Sequence, residues 1–124
     1  MASAKQEILR LERQQERDFN QHRIDRCLAL FDPGFVGFSS TRHPRIAGRA
    51  ALRKTFQYYL RLSPRMRYHT SQPRVQVFDG AAVATFYWKV TLGRRRQVRG
   101  RGSHVLVRKG KTWRIVHEHF SRAH

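Results

Sequence analysis

At 124 residues, with 40% hydrophobic and 11% aromatic content, the chain is long enough to bury one core and too apolar for a disordered tail. No apolar run approaches the ~18 residues of a membrane span, and no hydrophobic leader opens the chain. Cys27, the single cysteine, cannot form an internal disulfide, so a reduced cytoplasm is the expected compartment. The net charge of +18, from 26 basic and 8 acidic residues, favours contact with polyanions.

Ser3 and Gln6 have the spacing of a capping box, and a helix is predicted from about Ala4. Ile8, Leu11, Gln15, Phe19 and His22 recur at helical spacing. A second stripe, Ile24, Cys27, Leu28 and Phe31, is out of phase with the first, which predicts a break near Asn20–Arg23. Asp32-Pro33-Gly34 reads as the stop of that second helix, with a short strand at Phe35–Ser39. Gly48 precedes a third helix with a buried stripe of Leu52, Phe56, Tyr59 and Leu60, ending near Ser63-Pro64.

Two hairpins follow. Asp79-Gly80 joins the first, pairing Val77 with Ala82 and Val75 with Ala84 and placing Val75, Val77, Ala82, Ala84, Phe86 and Trp88 on one face. The second runs from Val98 to Ser121 around a turn predicted at Lys109-Gly110. Counting back from that turn puts Leu106 opposite Trp113, His104 opposite Ile115, Gly102 opposite His117 and Gly100 opposite His119, all on one face. That face holds three histidines. The two glycines read as the floor of a hollow or as the mark of a bulge. On this count Glu118 lies on the other face beside Arg101, as a cross-strand ion pair. Helices gathered on one side of an antiparallel sheet make a single α+β domain over residues 1–124, with an open end suited to a ligand.

Several stretches carry a resemblance. Lys5-Gln6-Glu7-Ile8, Asp32-Pro33-Gly34, Gly48 and Trp113-Arg114-Ile115-Val116-His117-Glu118-His119-Phe120-Ser121 resemble the nuclear-transport-factor-2-like superfamily. Within it they are similar to the SnoaL-like proteins and the association (hub) domain of calcium/calmodulin-dependent kinase. The resemblance implies a cystatin-like, cone-shaped curved sheet on three N-terminal helices, and self-association. Positions matching two pocket arginines of the hub are Tyr87 and His104 here. The superfamily also holds isomerases, dehydratases and cyclases.

The candidate ligand-binding residues are therefore Tyr87, His104, His117 and His119, with His104, His117 and Tyr87 the candidates for catalysis. Three imidazoles are a zinc-binding set in type, but the matching motif has no metal role, so no metal and no cofactor is expected. The expected function is binding of a small organic molecule, anions included, in the cone. An isomerase-, dehydratase- or cyclase-type enzyme using a pocket histidine is the alternative. A further alternative is electrostatic binding of nucleic acid or another polyanion through Arg94, Arg95, Arg96 and Arg99. An apolar sheet face left outside the cone predicts a homodimer or higher homo-oligomer.

Overall fold

A computed structural model describes residues 2–123. Three helices, α1 (Ala4–Asn20), α2 (Ile24–Ala29) and α3 (Gly48–Leu62), cover one face of a curved, unclosed six-stranded sheet. The strands are β1 (Phe31–Phe38), β2 (Ile46–Ala47), β3 (Arg67–Phe78), β4 (Ala81–Thr91), β5 (Gln97–Lys109) and β6 (Thr112–Arg122), in spatial order β2-β1-β6-β5-β4-β3. The architecture is the expected α+β one, with β1 running parallel to β6 and the other pairs antiparallel.

The predicted capping box is present: Ser3 Oγ accepts from the Gln6 amide at 3.2 Å and Gln6 Oε1 from the Ser3 amide at 3.0 Å. The break between the two stripes falls at Gln21–Arg23, where His22 takes a positive φ of 61°. Side chains near the end of α1 then fix the sheet beneath it. Asn20 exchanges two 2.8 Å hydrogen bonds with the Tyr68 backbone, and Glu16 accepts from the Thr70 amide at 2.6 Å. These contacts hold α1 along the edge strand β3, so its apolar stripe closes over the sheet.

Asp32-Pro33-Gly34 does not end a helix. α2 stops at Ala29, and the tripeptide lies inside β1, where the register with β6 shifts between Phe31 and Val36. Asp32 Oδ2 accepts from the Gly34 amide at 2.8 Å and Oδ1 pairs with Lys109 Nζ at 2.6 Å, holding the irregularity against the turn of the last hairpin.

The first hairpin has the predicted register: Val77 faces Ala82, Val75 faces Ala84 and Arg74 faces Thr85. In the second, the turn residues are Gly110-Lys111, with Lys109 opposite Thr112 and Gly110 at φ 64°. The predicted faces survive as far as Leu106 opposite Ile115. Val116 is then an extra residue, a β-bulge, and the pairing resumes with Val105 opposite His117 and His104 opposite Glu118. One inserted residue turns every later side chain of β6 to the other face. His104 therefore points toward the helices, while His117 and His119 lie on the outer face of the sheet, and the three imidazoles do not converge. Glu118 takes the inner place, and the ion pair expected with Arg101 gives way to an Arg101–Ser121 pairing.

The two glycines of β5 border rings, not open space. A methyl at Gly102 would meet the Phe86 ring at 2.6 Å and Phe120 at 3.3 Å, and one at Gly100 would meet the Trp88 indole at 2.5 Å. These positions are seats for aromatic rings, not the floor of a hollow.

Candidate functional site

Between the helices and the concave face of the sheet lies a cavity of about 570 Å³. Phe19 on α1, Phe56 and Tyr59 on α3, Tyr68 on β3, Trp88 on β4 and Phe120 on β6 supply its walls. The rings are held by each other and by the backbone. Phe120 stacks with Trp88 at 6.0 Å and with Tyr68 at 6.3 Å, and Trp88 Nε1 donates to the Arg101 carbonyl at 3.0 Å. Tyr59 Oη accepts from Thr41 Oγ1 at 3.0 Å, tying α3 to the loop after β1. A concave, mostly apolar chamber with few polar groups is the common form of a small-molecule site.

The one carboxylate in its wall is held by a buried triad. His104 is fully buried; its Nδ1 lies 2.7 Å from both oxygens of Glu12, and its Nε2 lies 2.9 Å from Glu118 Oε1. Burial pulls the imidazole toward its neutral form, but the Glu12 charge and the hydrogen bonds to Glu118 and Glu12 outweigh it, and its pKa is pushed up to about 10. His104 is thus an imidazolium donating from both nitrogens. It fixes the Glu118 side chain, which lines the cavity beside Gln15. Glu118 Oε2 has no hydrogen-bond partner among the described residues, and neither does the Gln15 side chain. Burial, with Glu12, Glu118 and Glu16 nearby, raises the Tyr68 phenol well above its ordinary value, so the phenol keeps its proton.

Of the candidate ligand-binding, catalytic and polyanion-contact residues, only His104 and Arg96 belong to this chamber, His104 beneath its polar end and Arg96 in its lining. Tyr87 is 51% exposed on the outer face, where it lines a shallower depression of about 360 Å³ with Arg101, Ser103 and His119. His117 Nδ1 donates to the Val36 carbonyl at 2.8 Å, which ties β6 to β1. Arg94 and Arg95 lie exposed in the loop between β4 and β5, and Arg99 is exposed on β5. Among the described residues no group of His, Cys, Asp and Glu side chains is arranged to hold a metal ion. Cys27 is free and buried, its thiol within reach of the Gln15 carbonyl, and burial with the Asp18 charge pushes its pKa up to about 12.

Glu12, Gln15, Trp88 and Phe120 are not among the candidate site residues of the sequence, and the counted register sets Glu118 on the opposite face, paired with Arg101. Glu12 carried a signal: it lies four residues after Ile8 on the buried stripe of α1, where a carboxylate needs a partner. Glu118 carried none, because its face depends on a bulge with no glycine or proline to mark it.

Comparison with known proteins fits this geometry. An NTF2-like protein of unknown function from Pseudomonas putida KT2440 superimposes with a TM-score of 0.87 at 20% identity, over 95% of this chain and 85% of that one. The CaMKII hub of S. rosetta gives 0.86 at 21% identity, over 99% of both chains. A candidate dehydratase of the NTF2-like family from Streptomyces avermitilis gives 0.81 at 12% identity, over 94% of both. These likenesses establish a shared fold. No curated protein matches the sequence. Among the described residues no helix is long and apolar enough to cross a membrane. The family model of the SnoaL-like domain matches residues 12–124, nearly the whole chain, and the protein belongs to that family.

Proposed function

We propose that this chain is a small-molecule-binding domain whose ligand, a small organic molecule with anions included, occupies the cavity between the helices and the sheet. The observation that carries this reading is the aromatic chamber of about 570 Å³ with one oriented carboxylate, Glu118, at its polar end. Nile red, a neutral apolar dye, is expected to gain fluorescence on binding the wild-type protein. Val98, half-buried, lines the chamber, and Val98→Trp puts an indole into it, so the gain is expected to fall while the thermal midpoint holds. Equal fluorescence in both proteins would sink the reading.

A second reading, proton-transfer catalysis of the isomerase, dehydratase or cyclase kind, is favoured by Glu118 itself. Its Oε1 is held by His104 and its Oε2 has no partner among the described residues, the arrangement a general base requires. His104 is 0% exposed and acts through Glu118 as a positioning residue, so Glu118→Gln abolishes any turnover on this reading.

We further propose that copies of the chain associate through the outer sheet face. Val83, Val105, His117 and Val36 lie in one row across β4, β5, β6 and β1, and Phe78, 60% exposed, lies at its margin. Light scattering behind size exclusion is expected to give at least a dimer, and a clean monomer would refute the association. High salt is required, because a charge of +18 draws the protein to polyanions and column matrices, a non-specific attraction that salt screens. A reduced free thiol at Cys27 accords with a cytoplasmic setting.

A further inference from the structure

The chamber's wall is charged at two places of opposite sign, and one strand contributes to both. After the bulge at Val116, β6 turns Glu118, Phe120 and Arg122 to the cavity, opposite His104, Gly102 and Gly100 of β5. A strand rises about 3.4 Å per residue, so the first and last of these positions stand about 13 Å apart along it. Between them the surface is aromatic: the glycines leave room only for the rings of Phe86, Phe120 and Trp88.

The two ends favour different chemistry. At the Glu118 end, Oε1 is taken by His104 and Oε2 has no partner among the described residues, so this end accepts a hydrogen bond and repels an anion. The Gln15 amide beside it has no side-chain partner among those residues either. At the other end, Arg122 and Arg96 both line the cavity and both are exposed, so two guanidinium groups are open to a ligand from solvent. Guanidinium matches carboxylate geometry in a way a single point charge does not.

We infer that the ligand is a hydroxylated organic acid bound in one orientation. Its carboxylate lies at Arg122 and Arg96, its apolar body lies along Phe120 and Trp88, and its hydroxyl donates to Glu118. The two charged positions stand about 13 Å apart along β6, and an extended aliphatic chain of about ten carbons has a similar reach. This inference rests on the cavity being the binding site and adds to that reading a polarity, a length and a direction.

The test is displacement of Nile red by ω-hydroxydecanoic acid, decanoic acid and methyl ω-hydroxydecanoate. The hydroxy acid is expected to bind about tenfold more tightly than either of the other two, since each lacks one charge-assisted hydrogen bond. Arg122→Gln, at an exposed position, is expected to shrink the preference for acid over ester by weakening the acid more than the ester. Glu118→Gln is expected to shrink the preference for the hydroxy acid over decanoic acid. Equal affinities of the three compounds for the wild-type protein overturn the inference. So does an acid-over-ester preference left unchanged in Arg122→Gln, or displacement of the dye by none of the three. In those cases dye binding itself still stands for the cavity; a wild-type protein that binds no Nile red removes both.

Discussion

Glu12→Ala is expected to destabilise the fold by about 3–5 kcal/mol, read from urea denaturation at neutral pH. Glu12 is almost wholly buried and both its oxygens face His104 Nδ1 at 2.7 Å. Removing it leaves an imidazole in an apolar interior between the Phe31, Phe86 and Phe120 rings, with one nitrogen unpartnered. The loss also has a pH signature. His104 titrates at about 10 in the folded protein against an ordinary 6.5. The folded state therefore holds a proton that the unfolded chain releases, so the stabilisation is complete below 6.5 and drains away as pH rises toward about 10. Wild-type stability should fall across that window, and Glu12→Ala should flatten the fall. A wild-type profile already flat there would show that His104 is not held as an imidazolium. A second comparison separates the role of the triad from its cost. Replacing all three members at once, Glu12→Leu with His104→Phe and Glu118→Met, is expected to recover most of the loss, because whole buried ion networks exchange for apolar packing at little net cost. Stability alone then gives no reason for the triad; what it supplies is a Glu118 carboxylate fixed at the cavity wall.

Most of the fold was legible because its signals are local. Ser3 and Gln6 start α1 where the spacing says they do, Asp79-Gly80 fixes a hairpin register to the residue, and the phase break between Phe19 and Ile24 marks the end of a helix. The candidate site was legible only as far as the face of His104. A bulge is one residue of backbone geometry set by the strands on either side. At Val116 nothing in residue type distinguishes an inserted valine from a paired one. Yet that residue decides which of His117 and Glu118 faces the cavity, since strand side chains alternate with period two. The same gap explains the glycines. Sequence shows a missing side chain but not the ring that fills the space, and Phe86 and Trp88 arrive from β4, a strand away. Asp32-Pro33-Gly34 failed for a related reason: proline and glycine punctuate a bulged strand as readily as a helix end.

The glycines give the second large effect and a direct choice between a hollow and a packed seat. If Gly100 bordered empty space, an alanine there would cost little. In the structure its methyl would collide with the Ser121 carbonyl oxygen and lie 2.5 Å from the Trp88 ring. The carbonyl is backbone in the neighbouring strand and cannot swing aside, so β5 and β6 must separate locally. Gly100→Ala is expected to cost about 3 kcal/mol, the upper end of overpacking. Gly102→Ala meets ring atoms instead, Phe86 at 2.6 Å and Phe120 at 3.3 Å, and rings can shift. Its expected cost is smaller, about 1–2 kcal/mol. Because Phe120 lines the cavity, the relief comes partly at the chamber's expense, and Nile red binding should weaken with it. Gly80 supplies the control. An added methyl there would have nothing within 4 Å and the residue has no positive φ, so Gly80→Ala should be neutral or stabilising by about 0.4–1 kcal/mol. The order Gly100, Gly102, Gly80 in denaturation midpoints follows from which atoms stand in the way. A Gly100→Ala protein as stable as Gly80→Ala would mean that β5 and β6 do not meet as described, and that the aromatic wall between Glu118 and Arg122 is not in place.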